Sequence, residues 1–308
     1  MMPVLTGFSP TPQSATKAAL LSRKNLGLLL GLLGVTIFAA TLPMTRLAVG
    51  ELGPWFLTSG RAAVAGLIAV AVMVVLRRPW PGSEQLWRIA LAAVLLVGGF
   101  PGFSGLAMQS VPAAHAGVVI GILPIATVIA ATRISGERPS LAFWAWSMGG
   151  AGLVVAFVLR QGAGLPSSGD GLLLAAVVSA AFGYAISGQL SKQMPGWEVI
   201  SWAVIVALPV TLPAALWLAP GHPALISATS WGAFAYLSIM SMYLGFFAWN
   251  SGLALGGVAH VAQVQLLQPF ITISFAALLL GEKLEAEMLV FALGIVAVVF
   301  VSRKLKVT

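Results

Sequence analysis

The chain has 308 residues, 59% of them hydrophobic and only 8% charged, with a mean hydropathy of +1.00. A soluble domain is not built this way. The formal charge of +8 raises nucleic acid as a partner, but the basic residues are spread along the chain at the ends of apolar runs, which is a topology signal and implies no nucleic acid; zero cysteines exclude disulfides, thiolate metal sites and a cysteine nucleophile.

Read from the N-terminus, residues 1–25 are polar and predict a disordered cytoplasmic tail. A spanning helix needs roughly 20 apolar residues. Runs of about that length predict ten spans, at 26–49, 54–76, 86–108, 112–132, 139–159, 170–191, 197–219, 229–253, 258–280 and 284–302. The connections are too short to fold separately, so the expectation is an all-α integral membrane protein with the lipid bilayer as its surroundings. If the N-terminus is cytoplasmic, Lys17, Arg23, Lys24, Arg77, Arg78, Arg88, Arg133, Arg138, Lys192, Arg303, Lys304 and Lys306 fall inside, and only Arg46, Arg160 and Lys283 fall outside. That bias predicts both termini in the cytoplasm.

Polar groups within the spans are candidates for function, because a helix facing only lipid would not carry them. Span 1 offers Thr41 and Met44 around Pro43, and span 2 carries Arg61. Arg61 suits a substrate carboxylate, or else snorkels to the outer surface or pairs with Glu51. Span 3 offers Phe100, Ser104 and Met108; span 4 has His115 near its start and Pro124 further on; span 6 offers Tyr184 and Ser187. Span 8 places Tyr243, Phe247 and Asn250 on one helical face at spacings of four and three. Span 9 begins with His260 and continues through Gln263, Gln265, Gln268 and Pro269. On an ideal helix Gln265 and Gln268 lie close in angle, whereas Gln263 points away toward headgroups or a neighbouring helix. Prolines 43, 124 and 269 are candidate hinges, since each lacks an N–H and frees a carbonyl four residues back. All eight acidic residues sit at or beyond the span ends, so no mid-membrane carboxylate is available to carry protons. His115 and His260 are the titratable alternatives, unless they are merely interfacial. Such stripes serve either as a solute site or as glue between helices.

The two halves repeat. At an offset of 145, Pro124 falls on Pro269, Gly136-Glu137-Arg138 on Gly281-Glu282-Lys283, and Gly149 on Gly294. Five spans per copy is an odd number, so residues 26–160 and 170–303 are predicted to enter the membrane with opposite orientations, an arrangement used by carriers. The paired Gly-Glu-Arg and Gly-Glu-Lys turns, each after a Pro-containing span, and PWFLTSGRAAVAGLIAV at 54–70 resemble the EamA repeats of the drug/metabolite transporter superfamily, most closely its YddG-type aromatic amino acid exporters. The resemblance implies ten helices, a cavity lined by spans 1, 3, 4, 6, 8 and 9, and peripheral spans 5 and 10. With the polar stripes, which suit a neutral or zwitterionic solute with an apolar body, and the missing mid-membrane carboxylate, which favours a facilitator, it leads to the expectation of export of metabolites such as aromatic amino acids across a bacterial inner membrane, with no cofactor, metal or enzymatic activity. Proton coupling through a histidine is the alternative. A remoter one is an intramembrane serine protease, because GFSG at 102–105 and AHAG at 114–117 supply Ser104 and His115; their separation is too short for the known dyads.

Overall fold

The computed structural model describes residues 12–111, 116, 119–160, 169–280 and 286–307. Helix α1 (Pro12–Ala39) and α2 (Thr41–Leu52) form the first apolar run, with the break at Ala40. The expected tail boundary therefore moves: residues 12–25 are part of α1, as Pro12 at a first helical position and the Ala, Leu and Lys residues after it favour. Helix α3 (Pro54–Val75) starts behind Gly53, whose φ of 69° lets the chain reverse. Next, α4 (Ser83–Ala92) passes through a π-helical stretch, Ala93–Gly99, into α5 (Phe100–Ala107). Helix α6 (Leu123–Ile134), α7 (Leu141–Arg160), α8 (Gly169–Leu190) and α9 (Gly196–Trp217) follow. Then α10 (Ala228–Tyr236) runs through a second π stretch, Leu237–Leu244, into α11 (Gly245–Gly256). Finally α12 (Val258–Ala262) turns 3-10 over Gln263–Leu267, α13 (Gln268–Leu280) continues, and α14 (Ala286–Ser302) closes the chain.

Seven of these helical runs are long and apolar enough to cross a membrane, and three shorter apolar helices, Leu123–Ile134, Leu141–Ala156 and Val290–Ser302, stand where spans 4, 5 and 10 were expected. The chain is thus a multi-pass, all-helical membrane protein. Among the described residues the sole β pairing is an isolated bridge between Pro139 and Val307.

Packing follows a pattern in pairs. Helix α1 packs on α11 and α5 on α8; α6 packs on α8 and α1 on α13; α3 meets α9, α12 meets α6, and α7 meets α14. Where α1 crosses α11 the backbones nearly touch: a Cβ added at Gly27 would stand 2.5 Å from the Gly256 amide nitrogen. Such approach between small residues is how helices associate tightly in lipid, where apolar burial gives little driving force.

The two ends of the bundle are closed by different groups. Toward one, α2 is fastened to α10 and to the end of α5: Glu51 Oε2 accepts from the Ser227 amide at 2.7 Å, Ser230 Oγ donates to the Leu47 carbonyl at 3.1 Å, and Arg46 Nη1 donates to the Met108 carbonyl at 2.7 Å. At the other, Glu137 caps α12, its two oxygens accepting from the amides of Val258 and Ala259 at 2.9 and 2.8 Å. A carboxylate there satisfies orphan donors and meets the positive end of the helix dipole. The Gly-Glu-Arg turn thus has a structural job; its repeat partner at 281–283 lies outside the described residues.

Candidate functional site

The irregular stretches of helix converge on one place. A narrow cavity, with room for about one or two ordered waters, lies between α1, α2, α3, α5, α6, α8, the two π stretches, α11 and α13. Phe38 on one side and Thr41 and Leu42 on the other flank the break at Ala40; Leu96 lies in the first π stretch, with Phe100 and Pro101 at its end; Ile120 and Leu123 flank the start of α6. Ser241 and Met242 lie in the second π stretch, and Gln268 stands where the 3-10 segment gives way to α13. Irregular backbone at membrane depth is tolerated only where protein or a wet cavity satisfies it. Pro43 leaves the Ala39 carbonyl without its helical donor, and Thr272 Oγ1 supplies one at 2.8 Å. Pro269 leaves the Gln265 carbonyl free, and the Gln268 amide takes it in a tighter turn. Prolines 43, 124 and 269 all stand within three residues of a helix start, just beyond a break.

Arg61 is the charged group among the described residues of this lining, and it is 5% exposed. Its Nη2 donates to Ser241 Oγ at 3.1 Å, Ser241 is bonded to Thr41 Oγ1 at 2.8 Å, and its Nε has no partner among the described residues. Neither sequence alternative holds: Arg61 does not snorkel, and Glu51 is engaged with Ser227. The reason is geometric, since Arg61 lies on the face of α3 that turns toward the π stretch of span 8. Among the described residues this cation has no counter-ion to offset a desolvation cost of several kcal/mol. Below it stands an aromatic wall. Phe38 lies 4.9 Å from Phe246 and 6.4 Å from Tyr184 between ring centres, and Tyr184 lies 5.1 Å from Trp249.

Of the residues singled out in the sequence, Thr41, Arg61, Phe100, Tyr184 and Gln268 come together here. The others are placed elsewhere. Gln265 is 3% exposed and turns toward α6, where Thr127 Oγ1 donates to its Oε1 at 3.4 Å, because the helix changes type between Gln265 and Gln268. Gln263 is 1% exposed, not at the headgroups, and both its amide atoms lack a partner among the described residues. Tyr243 is bonded to Ser201 at 2.8 Å and packs on Phe247, while Asn250 Nδ2 donates to the Gly196 carbonyl at 3.1 Å; all three therefore face α9. Their spacing does put them on one face, but that face packs on α9, and the π stretch and the first turn of α11 present Ser241, Met242 and Phe246 to the cavity instead. Ser187 is buried one turn beyond Tyr184, and Met108 is buried beyond α5. Ser104 Oγ donates back to the Phe100 carbonyl at 2.7 Å. Met44 packs outward against the cluster around Val49 and Leu237. His260 lies at the capped end, its Nε2 3.0 Å from the Leu305 carbonyl and its ring against Phe143; His115 lies outside the described residues. Sequence reasoning missed Phe38, Ser241 and Phe246. Phe38 carried a signal, standing five residues before a proline in an otherwise aliphatic run.

A second, open groove is lined mainly by apolar residues of spans 3, 6 and 7 and carries no charged group among the described residues.

Helices of spanning length around a buried, partly polar cavity with broken helices on its rim define a membrane transporter rather than a hydrolase. Comparison with known proteins makes this specific. Residues 25–160 and 167–303 both match the model of the EamA-like transporter family, and the chain belongs to that family. It is 41% identical over 280 residues to the uncharacterized transporter YdeK of Bacillus subtilis, covering 89% of this chain and 96% of that one. It is 28% identical to a "Probable terminal-alkyne amino-acid exporter" of Streptantibioticus cattleyicolor, over 88% and 92% of the two chains. To the aromatic amino acid exporter YddG of Ancylobacter novellus it is 24% identical, over 79% and 85%. One solved crystal structure superposes with a TM-score of 0.72 over 90% of this chain and 97% of that one, at 18% identity, which speaks to fold alone.

Proposed function

We propose that the chain is a bacterial inner-membrane exporter of small metabolites with apolar or aromatic bodies, amino acids foremost, working by alternating access as a facilitator. The observation that carries this reading is the narrow cavity at the meeting of five irregular helical runs, lined by aromatic rings together with hydroxyl, amide and guanidinium groups. The amino acid exporters among its relatives support the substrate class.

Ten spans in two inverted repeats belong to the same proposal. Three features support the two-fold relation. The π stretches at 93–99 and 237–244 and the breaks before Pro124 and Pro269 recur close to the sequence offset of 145. Packing of α1 on α11 and α5 on α8 exchanges the halves, and α3 with α9 and α7 with α14 pair spans that the repeat makes equivalent. In carriers of this design, breaks around a central site let one part rock against another. Both termini are cytoplasmic in this proposal, by the distribution of Lys and Arg. His260, at the end of the bundle and tied to Leu305, stands apart from the cavity, which favours facilitation over histidine-mediated proton coupling.

The test is counterflow of labelled phenylalanine, tryptophan and leucine in proteoliposomes, with and without a pH gradient. Exchange that proceeds equally without the gradient is the expected result. Accumulation that collapses with a protonophore would replace facilitation by proton coupling, and no exchange of any amino acid would remove the substrate class. A cysteine at Gly221 should react with an impermeant thiol reagent in intact cells and one at Ser83 should not; the reverse pattern would invert the orientation.

A further inference from the structure

We infer that Arg61 is the anchor for a solute carboxylate, and that the site recognises a carboxylate joined to an apolar body without needing an ammonium group. This rests on the central cavity being the transport site.

A guanidinium offers five N–H donors in a planar fork that matches a carboxylate. Arg61 is 95% removed from solvent, spends one bond on Ser241, and keeps its Nε without a partner among the described residues, while its side chain lines the cavity. Its nearest polar neighbours, Ser241 and Thr41, are already bonded to each other, so they position the fork rather than neutralise it. Among the described residues the lining contains no Asp or Glu. Every acidic residue in the chain belongs to the span ends or connections, among them Glu51 and Glu137, which are engaged as caps. The charge arithmetic then ranks ligands. A monocarboxylate makes the site neutral, a zwitterion leaves it with one positive charge, and an amine raises it to two. In a water-poor interior that order is also the order of electrostatic cost. The rings of Phe38, Tyr184 and Phe246 line the same cavity, so an apolar body that enters as the site opens meets aromatic faces. Aromatic faces also attract cations, but a site that used them for an ammonium would have to hold it close to Arg61.

The ligands are 3-phenylpropionate, phenylalanine and phenethylamine, which share one body and differ only in carboxylate and ammonium. Each is titrated against the purified full chain in detergent, and the unfolding temperature is followed by the fluorescence of its ten tryptophans. Phenylpropionate should stabilise at concentrations equal to or below those of phenylalanine, and phenethylamine should not stabilise. Arg61→Gln should raise the half-saturating concentration of phenylpropionate by about tenfold or more, as loss of a charged hydrogen-bonded pair implies, and Arg61→Lys by less. Should Arg61→Gln fail to fold, the wild-type ranking and Arg61→Lys still decide. Stabilisation by phenethylamine equal to that by phenylpropionate, or by neither, overturns the inference. So does phenylpropionate binding that is unchanged in Arg61→Gln. Counterflow separates the two readings. Phenylpropionate binding without phenylalanine exchange would remove amino acid export and leave the anchor, whereas phenylalanine exchange undiminished in Arg61→Gln would remove the anchor and leave export.

Discussion

Spans 1 and 6 hold corresponding places in the two halves and both reach the cavity, yet one is broken and the other is not. Helix α8 runs 22 residues from Gly169 to Leu190 without interruption and contributes Tyr184. Span 1 stops at Ala39 and resumes at Thr41, and the detached α2 is held by hydrogen bonds to spans 3 and 8. Proline makes the difference. Span 6 has none, whereas Pro43 removes a helical donor and Thr272 on span 9 takes over the orphaned carbonyl. Repeated sequence therefore specifies shared packing, and single residues assign one copy the bend and the other the strut.

The most disruptive way to probe this comparison is at the helix contacts themselves. A Cβ at Gly27 meets the backbone of α11, 2.5 Å from the Gly256 nitrogen and 3.0 Å from the Gly252 carbonyl oxygen, while where span 6 packs on span 3 the nearest atoms to a Cβ at Gly183 belong to the Leu96 side chain. Gly27→Ala should lower stability by about 1–3 kcal/mol or more, as overpacking against atoms that cannot turn aside does. Gly183→Ala should cost less, because Leu96 can change rotamer. Thermal unfolding of the two variants measures this, and equal losses would mean that the two contacts are equally rigid.

An intermediate effect is expected where the bend is stabilised. Thr272→Val removes the donor to the Ala39 carbonyl and should cost about 1–3 kcal/mol, the penalty of an unsatisfied buried acceptor. Pro43→Ala returns an N–H to residue 43, four residues beyond that carbonyl. The double variant should therefore lose less than the sum of the single ones, with slower transport as span 1 straightens. Additive losses would show that Thr272 and Pro43 act independently.

Glu51→Gln should change the unfolding temperature least. The carboxylate is exposed, and an amide oxygen can still accept from Ser227. A loss as large as that of Thr272→Val would make this end of the bundle a principal fastening of α2.

The candidate site was legible in part. A buried arginine, a tyrosine and an amide beside a proline stand out in apolar sequence whatever their neighbours, and Arg61, Tyr184 and Gln268 do line one cavity. The shared face expected for Tyr243, Phe247 and Asn250 is kept, but it turns toward α9 instead of the cavity, a direction that one helix's period does not specify. Nor could sequence separate Gln263 and Gln265 from Gln268 correctly, because a 3-10 segment ends between them.

What the amino-acid order determined alone is set by solvation: long apolar runs cannot remain in water, charges gather at their ends, and a doubled pattern of Gly, Pro and Glu marks two copies of one unit. What only tertiary structure decided is which polar groups meet. Whether Arg61 finds Glu51, the outer surface or Ser241 depends on how α3 is turned against span 8, and that rotation follows from packing among helices far apart in the chain.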